Sequence, residues 1–141
     1  MSYKPQEVLK RLEDLITEYN KNRSELDDDT ISDMRASLAT GTYLFVENAI
    51  LPAMEDAVLM ELAERRAEAK AFDDAFKKLL SEGYSKSQSE SIARKHCLGD
   101  ETYLEAVSQS MTSKNIVKIY DLLLKQANQV LNSMGKRTNY M

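Results

Sequence analysis

The residues that could carry reaction chemistry are few. One histidine, His96, stands beside the one cysteine, Cys97, in a chain of 141 residues. A zinc site takes three or four protein ligands, and neighbours on a helix point about 100° apart, so the pair does not converge on one ion. The same divergence leaves Cys97 without a base, and an unassisted thiol is a weak nucleophile, so a small residue near a helix end is the plainer reading. Asp27, Asp28 and Asp29 have the charge for a hard cation, but such an ion needs about six oxygen ligands, and no second acidic cluster supplies them. Three acids ahead of a helix also sit where its N-terminal dipole favours negative charge. The chain has no G-x-x-x-x-G-K-[ST], G-x-G-x-x-G, G-x-S-x-G or H-E-x-x-H pattern, and no Glu-x-x-His pair for a four-helix carboxylate metal site. The expectation is a protein that is not an enzyme and needs no cofactor or metal.

What remains is charge. With 19 basic and 23 acidic side chains the formal net charge is −4, which argues against a surface that attracts nucleic acid or anionic lipid everywhere. Any such binding must be local. Between residues 61 and 80 the basic residues come as Arg65-Arg66, Lys70 and Lys77-Lys78, and Arg66, Lys70 and Lys77 share one face of a helix. Such a stripe can follow a phosphate backbone, with Tyr84 or Tyr103 at hand to stack on bases. An ordinary solvated helix face has the same look. A second basic excess falls in residues 112–141, where the one acid, Asp121, is far outnumbered.

These residues need elements to hold them, and the composition says which. Four glycines and two prolines are too few for many strands and tight turns, while Ala, Leu, Glu, Lys and Met abound, so the fold class is all-α. The length fits a single helical domain, 1–141. One cysteine allows no disulfide within the chain and fits a reducing, cytoplasmic setting. The first residues have no apolar core of a signal peptide, and the most apolar stretch, Tyr43 to Met54, is interrupted by Glu47, Asn48 and Pro52 and is too short to span a membrane. A soluble protein without a membrane partner is expected.

Apolar residues at three- and four-residue steps, Val8, Leu9, Leu12, Leu15, Ile16 and Tyr19, predict a helix over about 5–24. Thr30 to Asp33 matches a capping box and predicts a second start, over 30–51, with Met34, Leu38, Phe45 and Ala49 on its inner stripe. Pro52 predicts a kink or a new helix over 52–82, since a helix unbroken from 31 to 80 would span roughly 75 Å. Ala63, Ala67, Ala71 and Ala75, four apart, let another helix approach closely. Ser85 and Gln88 make a second capping box for 86–97. A final helix over 101–134 carries Ile116, Ile119, Leu123, Ala127, Val130 and Met134 at steps of three and four, a core or coiled-coil seam. Gly83, Gly99 and Gly135 each follow a helical run and read as C-caps, leaving 136–141 as a mobile tail. Long kinked helices in an elongated hairpin or bundle, assembled as an oligomer, are the expected architecture.

Several stretches carry a family resemblance. Arg11-Leu12-Glu13-Asp14-Leu15, the Asp-Asp-Thr at the start of the second helix, Thr42-Tyr43-Leu44-Phe45, the basic and alanine-rich run Glu61 to Phe76, and the stretch Leu122 to Arg137, ending in Leu-Asn-Ser-Met-Gly-Lys-Arg, together resemble the UvsY-type recombination mediators of tailed phages. The resemblance implies a helical homo-oligomer, ring-like, that binds single-stranded DNA without sequence preference. It further implies loading of a RecA-like recombinase onto strands coated by single-strand-binding protein, in the cytoplasm of a phage-infected host. The DNA-contacting residues would be Arg65, Arg66, Lys70, Lys77 and Lys78, and the oligomerisation element would comprise Ile116, Ile119, Leu123, Val130 and Met134. The sequence departs from the family where Phe72, Asp73 and Asp74 follow Lys70 in place of a further basic residue. An oligomeric helical adaptor or assembly factor for another protein is the competing expectation, favoured by the acidic balance and the alanine stripe.

Overall fold

The computed structural model describes residues 4–139, which form helices and no strand. Helix α1 runs Pro5–Asn22, α2 Asp28–Phe45, α3 Leu51–Ser81, α4 Lys86–Leu98 and α5 Glu101–Asn139, and a π-helical turn, Val46–Ile50, joins α2 to α3. The chain is therefore all-α with long helices, one of them kinked.

Local chemistry sets the boundaries. Pro5 opens α1 at a position where a missing N–H is harmless. The cap of α2 lies three residues before the expected Thr30: Asp27 Oδ1 accepts the Thr30 N–H at 2.7 Å, and Asp28 and Asp29 occupy the first turn. An ionised oxygen makes a stronger cap acceptor than a threonine hydroxyl, and Asp27 is spaced to reach the third helical N–H. The hydrogen bonds from Thr30 hold the Asp27 carboxyl below its ordinary value.

Pro52 does not end the helix. Across Val46–Ile50 the ladder widens, and Leu51 N–H donates to Val46 O, five residues back. A proline in a regular α-helix collides with the carbonyl four residues earlier, here that of Asn48, and leaves it without a donor; the wide turn absorbs the misfit. Thr42 Oγ1, just before it, donates to Leu38 O at 2.7 Å, and Asn48 Nδ2, within it, to Leu44 O at 2.9 Å. Side-chain bonds back to the ladder bend helices, so the stretches read as 30–51 and 52–82 are one kinked run.

The three expected glycine caps differ. Gly83 has φ +96°, and Gly83 N–H donates to Leu80 O while Tyr84 N–H donates to Leu79 O, a Schellman closure that glycine permits without strain. Gly99 closes α4 at φ −102°, where no glycine is required. Gly135 is no cap: α5 continues through it to Asn139, which corrects the expected end at 134. A Cβ at Gly135 would lie 3.0 Å from the Arg35 guanidinium, so glycine here gives Arg35 room against the helix. Of the expected tail 136–141, residues 136–139 are helical and the last two lie outside the described residues.

Where the sequence reads as one domain, packing forms two compact units: the described part of Met1–Met54 with Ile116–Met141, and Glu55–Asn115. Helices α3 and α5 have 31 and 39 residues, about 46 and 58 Å, longer than one small core covers. In the first unit α1, α2 and the end of α5 enclose Leu12, Tyr19, Ile31, Leu38, Phe45 and Met134, all fully buried. Phe45 meets Tyr120 edge-on at 5.4 Å between ring centroids. The Tyr19 and Ser133 hydroxyls bond at 3.0 Å, and Arg23 donates to Ser133 Oγ at 3.1 Å. In the second unit α3, α4 and the start of α5 bury Leu79, Ala93, Cys97, Ser89 and Ser110, with Phe72 and Phe76 stacked and half-buried. Helix α4 begins with the expected capping box of Ser85 and Gln88.

Candidate nucleic-acid interface

The five basic residues assigned to DNA contact all fall on α3 within the second unit. Arg65, Arg66, Lys70, Lys77 and Lys78 are exposed. Arg65 is engaged, its Nη2 donating to Glu61 Oε1 at 3.2 Å one turn back. Arg66, Lys70, Lys77 and Lys78 are in no ion pair among the described residues. Steps of four and seven put Arg66, Lys70 and Lys77 within about 40° of one another around the helix, with Lys78 about 100° away. Asp73 lies within that stripe and Asp74 at its edge, so a strand laid along it would meet cations interrupted by acids.

The aromatic side chains are arranged differently from the expectation. Tyr84 is 45% exposed and open to a stacking base. Tyr103 is half-buried, and its burial, then Glu68 and Glu64 nearby, push its phenol above the ordinary value. A tyrosine beside two carboxylates is a poor seat for a phosphodiester strand. Phe72, which occupies the place of a basic residue, turns inward onto Phe76 with centroids 5.8 Å apart. It lines a cleft of about 660 Å³ formed by α3 and α4, with Arg65, Glu68, Ala69, Asp73, Arg94, Cys97 and Leu98. Arg94 was not singled out in the sequence; its place at the basic end of α4, opposite Arg65, depends on how α3 and α4 pack. It too is bound to its own helix, at 3.1 Å from Glu90.

His96 and Cys97 line different clefts, as their adjacency on one helix requires. The Cys97 thiol is buried and donates to Glu68 O at 3.3 Å. Burial first, then Glu68 and Asp100, push it above its ordinary value, the opposite of an activated thiolate. Among the described residues no group of three or more His, Cys, Asp or Glu side chains is placed to hold a metal ion, and no helix is long and apolar enough to cross a membrane.

The residues assigned to oligomerisation separate into two sets. Val130 and Met134 are consumed by the core of the first unit, as is Ala127, and Leu123 is half-buried against it. The α1 and α2 faces fill this side of α5 within the chain. Ile116 and Ile119 are 39% and 60% exposed, and Leu122, one turn on, is 60% exposed. Of the alanine stripe, Ala67, Ala71 and Ala75 face inward and Ala63 is exposed. Comparison with protein-family models, with curated proteins and with solved structures gave no match.

Proposed function

We propose that the chain is a non-catalytic, self-associating single-stranded DNA-binding protein that acts as a recombination mediator. The observation that carries this reading is the exposed face of α3 on which Arg66, Lys70 and Lys77 are in no ion pair among the described residues. Three such contacts hold a strand weakly, but copies joined into one assembly repeat the stripe, and each added contact acts at a raised effective concentration. A strand drawn along repeated stripes is held extended and loses contact with its previous coat of single-strand-binding protein, which leaves room for a RecA-like recombinase. The setting would be the cytoplasm of an infected host. The resemblance to UvsY-type mediators supports this order of events, and the exposed Tyr84 adds a stacking surface beside the stripe.

Fluorescence anisotropy of a labelled single-stranded oligonucleotide tests it. Three phosphate contacts per copy should weaken binding roughly 20-fold between about 50 and 200 mM salt, and Arg66→Ala with Lys70→Ala should flatten that dependence. Affinity unchanged in the double variant, with assembly intact, would remove the stripe from the mechanism. A wild type that ignores DNA at both salts would favour the second reading, an oligomeric helical adaptor for another protein. That alternative draws on the large aliphatic side chains that α3 and α5 leave in solvent.

A further inference from the structure

Two exposed apolar stripes remain outside the DNA reading. In the Glu55–Asn115 unit, α3 presents Val58, Leu59 and Leu62, 58%, 53% and 41% exposed. In the other unit, α5 presents Ile119 and Leu122, each 60% exposed. Clustered large aliphatics on a helix face mark interaction surfaces more often than scattered single ones do.

Their surroundings carry opposite charge. No Lys or Arg occurs between Arg35 and Arg65; Glu55 and Asp56, exposed beside the α3 stripe, are in no ion pair among the described residues, and Arg66, one turn past Leu62, marks the stripe's basic end. The α5 stripe lies between Lys118 and Lys125; Lys125 is bound to Asp121 at 3.1 Å, and Lys118 is in no ion pair among the described residues.

We infer that the basic α5 stripe of one copy docks on the acidic α3 stripe of a second copy. Like stripes do not pair well. In parallel pairs Glu55 and Asp56 of α3, or Lys118 of α5, would meet their own copies, at a cost in repulsion. Unlike stripes bury Leu59 and Leu122 together and match the flanking charges. The contact is heterologous, so each docking leaves one stripe of each kind free at the ends, and the assembly grows until it closes into a ring or continues as a filament. This inference rests on the self-association in the proposed function and not on its DNA binding.

The test uses Leu59→Asp and Leu122→Asp, both at exposed positions, with circular dichroism to verify the helices and sedimentation to give the mass. The wild type should be multimeric at about 100 μM, where a micromolar contact is saturated. Each variant alone should be monomeric. Mixed in equal amounts they should form a dimer and stop, because one supplies an intact α5 stripe and the other an intact α3 stripe. Either variant keeping the wild-type mass, or a mixture that stays monomeric, would overturn the pairing while leaving self-association in place. A monomeric wild type would overturn self-association as well, and anisotropy on the same samples reads DNA binding separately. A charge version guards against folding defects: Glu55→Lys with Asp56→Lys, and Lys118→Glu with Lys125→Glu, should each weaken assembly at least tenfold alone and restore it when mixed. Failure to restore it would equally overturn the pairing.

Discussion

One unit hides Leu12, Ile31, Leu38, Phe45 and Met134 from solvent, while the other hides chiefly Ala93, Cys97, Ser89 and Ser110. Burial contributes about 0.8 kcal/mol per CH₂, so the first unit gains far more from its core. The second is held by close approach of small residues and by well-made ends, the Schellman closure at Gly83 and the capping box at Ser85. It is also where Arg66, Lys70, Lys77 and Lys78 lie, in no ion pair among the described residues. The proposed binding face thus lies on the unit with the smaller core, where it can adjust to a partner without endangering the fold.

The largest test of this contrast is Phe45→Ala, which removes a fully buried ring and its contact with Tyr120 and should lower stability by about 3–5 kcal/mol, read as a shift in the urea midpoint. Leu79→Ala in the second unit should cost less, about 2 kcal/mol, because its surroundings are already half open to solvent. Cys97 is the one cysteine and lies in that unit, so its labelling rate reports opening there. Leu79→Ala should speed labelling more than Phe45→Ala does. If Phe45→Ala speeds it more, the two units open together and the contrast fails.

Smaller effects sharpen the comparison. Ser110 Oγ is buried without a hydrogen-bond partner among the described residues, so Ser110→Ala should raise the thermal midpoint through a gain of about 1 kcal/mol. Gly41, inside α2 in the first unit, should behave similarly when changed to alanine. Its new Cβ would sit 3.8 and 3.9 Å from methyl groups of Leu12 and Leu15, ordinary contacts, and the helix gains up to about 1 kcal/mol in propensity. The smallest effect is the α2 cap. The folded Asp27 carboxyl titrates below its unfolded value, so its contribution is present above the unfolded value and is lost as pH falls through the folded one. Wild type and Asp27→Ala should differ in melting at neutral pH and converge in acid.

Much of the fold was legible from periodicity. The α1 stripe, the Ser85 box and the Gly83 closure follow from spacing of a few residues, where local forces decide. The α2 start was misplaced because Asp27 and Thr30 both offer cap oxygens, and the ionised one wins. Pro52 was ambiguous because a π turn leaves no residue signature of its own. The basic stripe of α3 was visible by position, but the ion pair that engages Arg65 and the inward turn of Phe72 required side-chain placement.

The sequence by itself determined an all-helical chain, its helix faces and the alternation of acidic and basic segments, because each depends on residues within a few turns of one another. Tertiary structure alone decided that Val130 and Met134 belong to the chain's own core while Ile119 and Leu122 remain in solvent. All four repeat at helical spacing along α5. Which of them is buried depends on where α1 and α2, distant in sequence, come to rest.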